Sequence, residues 1–360
     1  MIVCQQRRSK PSRKGTKANV NVELKSFEDC LELSSSGPRH LLVGNGFSIA
    51  CRPGIFVYGK LFDKANFTQL TPSARKSFDA LNTTDFEKVI CALRDSAQLL
   101  AVYDEKLDNV KKSMLDDADG LREVLVQAIA SSHPECPSDL SESEYSHCRA
   151  FLSNFKAVYS LNYDLLLYWT QMHVEEGGTS SSDDGFRKPD DDFDSDYVTW
   201  EPHQAHGQNT YYLHGALHIF DSGTEIRKYT WCNTGIRLIE QIRDALKKDY
   251  FPLFVAEGTT DEKLERVRHS DFLAKAYRSF SEIGGNLFIY GHSLAENDEH
   301  YLERIEKGKI KKLFVGIHGD LKSPTNKKII DRANAMPLKR TGRYNLEVFF
   351  YDTNTASVWN

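Results

Sequence analysis

Leu41-Leu42-Val43-Gly44-Asn45-Gly46-Phe47-Ser48 reads as an apolar strand that runs straight into a glycine-spaced turn. Without Cβ atoms at the two glycines, backbone N–H groups can approach a phosphate at the start of the following helix. The G-x-G-x-x-G spacing is not completed, because Ile49 and Ala50 follow, and no G-x-x-x-x-G-K-[ST] loop occurs elsewhere in the chain. Such turns also occur without a ligand, so the stretch speaks first for an α/β fold and only then for a nucleotide.

Working outward, further short runs rich in β-branched, leucine and aromatic residues recur between helical patterns. They are Ala157–Leu161, Thr210–Leu213, Pro252–Ala256, Asn286–Tyr290, Lys312–Ile317 and Leu346–Tyr351, with His40–Val43 as the first of the set. Most are apolar throughout instead of alternating, which suits a sheet covered by helices on both faces. The expected fold is therefore α/β, a doubly wound, mostly parallel, Rossmann-like sheet. About a hundred residues of helical periodicity separate the first two strands, far more than a crossover needs. Residues 64–155 are read as an inserted helical subdomain, with the loop His133-Pro134-Glu135-Cys136-Pro137-Ser138 near its end. Residues 174–198 are read as an exposed acidic loop carrying Asp190-Asp191-Asp192-Phe193-Asp194. Regular ligand spacing is absent there, and no metal is expected.

Bulk composition bounds the function. The 360 residues are 40% hydrophobic and 11% aromatic, enough for a full-sized core. No apolar run approaches the length of a membrane span, and no membrane partner is expected. Residues 1–20 hold six basic residues and no acids, which reads as a disordered basic tail and not a secretory signal. Taking six positive charges from a net of −5 leaves −11 on the rest, which argues against a body that coats nucleic acid. Direct nucleic-acid contact is expected, if anywhere, only from the tail. Seven irregularly spaced cysteines without a C-x-x-C pair suggest neither a disulfide framework nor a zinc ribbon, and point to the cytoplasm.

Two more strand ends carry polar chemistry. Tyr159-Ser160-Leu161-Asn162-Tyr163-Asp164 sets an amide and a carboxylate two residues apart at the carboxyl edge, where open α/β sheets bind ligands. Asp164 reads equally as a cap for the helix beginning near Leu165. Tyr211-Tyr212-Leu213-His214-Gly215 brings an imidazole to the same predicted edge. Three polar strand ends together outweigh each one alone.

Glycine turn with serine, then Asn-x-Asp, then His-Gly, in that order, resembles the sirtuin superfamily over roughly Arg39 to Asp352. Leu287-Phe288-Ile289-Tyr290-Gly291-His292-Ser293-Leu294 resembles the Gly-x-Ser segment by which sirtuins hold the adenosine side of NAD. Two departures set the branch. The paired cysteines of the deacylase zinc ribbon are missing, and Asn45-Gly46-Phe47 replaces the usual Ala-Gly-Ile. The chain is thus more similar to the bacterial anti-phage defence NADases that lack the ribbon; Phe254-Val255-Ala256-Glu257-Gly258-Thr259 and Gly291 through His300 resemble a bacterial branch of that group.

The resemblance implies an NAD glycohydrolase that cleaves the nicotinamide–ribose bond through a cation-like sugar. It implies Asn162 orienting the attacking water or the ribose, Asp164 at the carboxamide and His214 as base, with NAD as substrate and no metal. Gly44, Asn45, Gly46, Phe47 and Ser48 would hold the diphosphate, Gly291 and Ser293 the adenosine ribose, and Glu296 or Asp298 its hydroxyls. Helix N-terminal stabilisation explains those two acids equally well. Asp85 and Glu87 match another recurrent piece of the group, yet read as helix caps without chemistry. NAD depletion in abortive infection would need restraint by a homo-oligomer or by a partner such as a ring-forming ATPase. An NAD-dependent protein deacylase and a non-catalytic nucleotide-binding subunit are the alternatives.

Overall fold

The computed structural model describes residues 22–103, 107–173, 181–189, 195–230, 236–248, 250–255, 260–340 and 344–360. The basic tail, residues 174–180 and 190–194 of the acidic loop, and residues 256–259 lie outside the described residues.

In chain order the strands are β1 (Leu24–Lys25), β2 (Arg39–Val43), β3 (Ala157–Ser160), β4 (Phe186–Arg187), β5 (Tyr197–Trp200), β6 (Thr210–Tyr212), β7 (Gly215–Asp221), β8 (Ile226–Tyr229), β9 (Pro252–Phe254), β10 (Gly284–Tyr290), β11 (Lys309–Ile317) and β12 (Glu347–Asp352). Seven of them form one parallel sheet in the order β6-β3-β2-β10-β11-β12-β1. The chain winds outward from β2 through β3 to β6, then returns to the other side of β2 and continues through β10, β11 and β12. The order therefore reverses between β2 and β10, the switch point at which doubly wound sheets open a crevice.

Side-chain alternation along these strands feeds two apolar layers. Leu41, Val43, Phe288 and Phe314 face one core, while Leu42, Leu287, Ile289 and Val315 face the other. Both faces are covered, which is why the strands read as unbroken apolar runs.

The run Pro252–Ala256, expected in this sheet, instead supplies β9 of a second sheet with the order β4-β5-β8-β7-β9, paired antiparallel throughout. A three-residue apolar strand looks the same in either sheet, and only its partner, β7, decides between them. Between β2 and β3 the helical segment begins earlier than Lys64, with helices at Pro53–Phe56 and Tyr58–Lys64. The long helices Phe86–Tyr103 and Asp108–Ser132 make up its bulk, and Phe62, Phe67, Phe78 and Phe86 pack edge and face together at its base. Its last helix, Glu142–Leu152, belongs to the sheet: Phe151 packs on Tyr290 with ring centroids 5.5 Å apart. That helix is the crossover from β2 to β3, so the insertion ends near the His133–Ser138 loop and not at Phe155.

Candidate functional site

Two strand-end loops touch at the switch point. Gly44 donates its N–H to Tyr290 O at 3.0 Å and Gly46 donates to Gly291 O at 2.8 Å. A methyl group at Gly46 would stand 2.5 Å from Gly291 Cα, and Gly291 itself has φ +68°. These glycines are required because two backbones cross in contact. Three further donors of the turn are committed locally, Phe47 N–H to Gly44 O, Ser48 N–H to Asn45 O and Ile49 N–H to Asn45 O. Of the N–H cradle expected over Gly44–Ser48, the donors of Gly44, Gly46, Phe47 and Ser48 hold protein instead of a diphosphate.

The side chains of Phe47 and Ser48 likewise lie behind the cleft wall. Phe47 is fully buried, its ring 5.0 Å from that of Trp359, whose indole N–H it accepts at 2.9 Å on its carbonyl. Fully buried Ser48 donates its hydroxyl to Asp164 Oδ2 and accepts from Asn162 Nδ2 at 2.9 Å. The other oxygen of Asp164 accepts the Leu166 N–H at 2.9 Å, starting the helix Leu166–Met172. Burial pushes the Asp164 carboxyl above its ordinary range, against the hydrogen bonds from Ser48 and Leu166. Leu165 is the N-cap of that helix, so Asp164 braces its first turn from one residue before the cap, and it also lines the cleft.

His214 ends β6 at a corner that only glycine can turn. Gly215 has φ +78°, and a methyl there would lie 1.9 Å from Leu253 O. The imidazole is 2% exposed, with Nδ1 3.4 Å from the Tyr163 hydroxyl and Nε2 3.4 Å from Asp298 Oδ1. The Asp298 contact is off the line of a hydrogen bond, and among the described residues Nε2 has no hydrogen-bond partner. Burial holds the ring well below the usual histidine range, outweighing the pull of Asp298.

Asp298, expected at a ribose hydroxyl, is instead the hub of a buried ionic cluster. His292 Nε2 lies 2.9 Å from its Oδ2, and the fully buried Lys263 Nζ lies 3.4 Å from its Oδ1. Burial alone would raise this carboxyl, yet Lys263, the hydrogen bond from His292 and the neighbouring His214 together hold it well below the carboxylate range. Leu294, with φ +53°, turns its N–H onto His292 Nδ1 at 3.1 Å, fixing that ring with its proton on Nε2. Ser293 lines the cleft, whereas Glu296 stands exposed away from its wall.

The cleft between these loops has a volume of about 490 Å³. It brings together Gly44, Asn45, Gly46, Asn162, Asp164, His214, Gly291, Ser293 and Asp298 of the expected residues. It also gathers Tyr163, Asp85, Gly316, His318 and Thr353, which the sequence reading did not assign to it. Gly316, His318 and Thr353 stand at the carboxyl ends of β11 and β12, so the same edge argument applied to those two strands would have found them. Asp85 does cap its helix, accepting the Lys88 N–H at 3.2 Å, but from that position it faces the cleft as well. Asn45 ties the two halves together, donating its side-chain amide to Phe56 O of the helical insertion at 3.1 Å.

Residues 41–359 match a family described as a domain of unknown function, DUF4917. The chain belongs to this family. The DUF4917 span takes in every residue of the cleft wall. No curated protein matches the chain. Among the described residues no group of three or more His, Cys, Asp or Glu side chains is placed to hold a metal ion, and no helix is long and apolar enough to cross a membrane.

Proposed function

We propose that the chain is an NAD glycohydrolase, and that the observation carrying this reading is the convergence of Asn162, Tyr163, Asp164 and His214 on one switch-point cleft. Doubly wound sheets bind dinucleotides at this place. The wall suits a cation-like sugar: it carries Asp85 and Asp164, with Asp298 balanced from behind by Lys263, and, among the described lining residues, no lysine or arginine. Nicotinamide is a good leaving group, so orientation of the sugar, a placed water and stabilisation of positive charge are what the site has to supply. Asn162 orients the ribose or water, and His214 takes the proton. The adenosine half extends past Gly291 and Ser293 towards His318 and Thr353. In the cell the reading is of a cytoplasmic anti-phage enzyme that depletes NAD under control of an oligomer or partner, as in the sirtuin-like defence proteins it resembles.

The test is nicotinamide release from NAD by the purified full chain, alone and with the products of neighbouring genes. His214→Ala and Asn162→Ala should each lower release about 100-fold or more with an unchanged circular-dichroism spectrum. Release by His214→Ala at the wild-type rate would overturn the assignment. Release that depends on added acetylated peptide would point to a deacylase, and NAD binding without turnover in every assembly would point to a nucleotide-binding subunit.

A further inference from the structure

We propose that Asp298, His214 and Tyr163 form a single proton line, with His214 reaching the cleft through the Tyr163 hydroxyl and Asp298 holding the far side of the imidazole. The line rests on the glycohydrolase reading for its chemistry and on the geometry for its existence. At 2% exposure His214 has almost no surface of its own to offer a water. Tyr163 is half-buried and lines the cleft; its hydroxyl donates to Val255 O at 3.2 Å and lies 3.4 Å from His214 Nδ1, so a small rotation of the O–H turns its proton from one to the other. Main-chain bonds fix both residues: Leu217 donates to Tyr163 O at 2.8 Å, and Val255 donates to His214 O at 2.9 Å.

The neighbours of His214 decide its tautomer. Nε2 faces the carboxylate of Asp298, beyond which lie Lys263 and His292, with His300 and Tyr301 packed alongside. A bare nitrogen lone pair 3.4 Å from a carboxylate oxygen is repulsive even off the hydrogen-bond line, so the neutral ring carries its proton on Nε2 and presents Nδ1 to Tyr163. In the reaction, water oxygen bonds to the ribose carbon as the carbon–nitrogen bond breaks, its electron pair leaving with nicotinamide. The Tyr163 O–H turns from Val255 O, its proton passes to His214 Nδ1, and the water proton passes to the Tyr163 oxygen. The imidazolium so formed is stabilised by Asp298, which stays ionised. Tyr163 is the group that meets substrate; Asp298, with His292 behind it, is a positioning residue.

Ring-¹⁵N NMR of the full chain tests the line without any turnover, the His214 signals being assigned by their loss in His214→Ala. The expected wild-type spectrum has the His214 proton on Nε2. Asp298→Asn should abolish that preference and lower kcat for NAD, with KM changed less than about twofold. Where Asp298→Asn alone fails to fold, the double variant Asp298→Asn with Lys263→Met removes both buried charges and serves the same comparison. Tyr163→Phe, which keeps the ring that packs 4.0 Å from Phe254, should lower kcat about 100-fold with the His214 tautomer unchanged. A wild-type proton on Nδ1 overturns the line even if NAD is hydrolysed. Full kcat in Tyr163→Phe beside an inactive His214→Ala overturns it too, while leaving the glycohydrolase reading intact. Should the chain hydrolyse no NAD, the tautomer and its loss in Asp298→Asn still decide the line.

Discussion

The two loops that meet at the switch point look alike in sequence, each a glycine-containing turn after an apolar strand, but they do opposite work. The Gly44–Ser48 turn commits its backbone and its serine to holding the protein together, gripping Gly291 on one side and Asn162 with Asp164 on the other. The Gly291–Asp298 turn uses the left-handed φ of Gly291 and Leu294 to aim His292 and Asp298 into a buried cluster beside His214. Chemistry expected from the first loop as a phosphate cradle therefore moves to the second as control of an imidazole. A glycine signature reports close backbone approach, and whether the approaching group is a phosphate or another strand end is decided by what the fold brings there.

Four changes probe that contrast. Gly46→Val should have the largest effect, because Cβ would sit 2.5 Å from Gly291 Cα, against backbone and not a side chain that could swing away; a loss on the order of 4–5 kcal/mol or outright failure to fold is expected in chemical denaturation. Asp298→Ala should follow, at about 3–5 kcal/mol, since it leaves Lys263 charged and fully buried; a stability close to wild type would show that the cluster is not a structural hub. Ser48→Ala should cost about 2–3 kcal/mol by leaving a buried Asp164 oxygen without its donor, with the Tm falling accordingly. Its effect on NAD affinity should stay small if the first loop is structural.

The smallest effect is a pH slope. Burial pushes His300, beside the second loop, down to about 4. Its folded value lies below its unfolded value of roughly 6.5, so the unfolded chain binds the proton first. The stability this neutral ring preserves is present above about pH 6.5 and is lost as pH falls towards the folded value. His300→Gln should flatten the fall in stability between pH 6.5 and 4.5 by up to about 1.4 kcal/mol per pH unit, and an unchanged slope in urea titrations would place the acid sensitivity elsewhere.

The parallel sheet was legible because burial on both faces leaves an uninterrupted apolar imprint, as in Leu41–Val43 and Leu287–Tyr290. The antiparallel sheet was not. Its β5 and β8 are short, half-exposed and mixed in polarity, and its β9 carries no mark of which sheet it joins. At the site, Asn162 and His214 were readable from their strand-end positions. Tyr163 was passed over because a tyrosine between two polar residues gives no sign of which way its hydroxyl points. Asp85 was taken only as a cap because the other walls of the cleft it lines come from chain distant in sequence.

Sequence alone determined the α/β class, the six apolar strands at the heart of the main sheet and the strand-end residues that meet at its carboxyl edge, because strand periodicity and turn chemistry are local properties. Tertiary structure alone decided that Gly44 and Gly46 face Gly291, that Asp298 stands behind His214 and that Tyr163 stands before it. Those relations join residues as much as 247 positions apart, and only strand order and close packing bring such distant groups within a few ångströms.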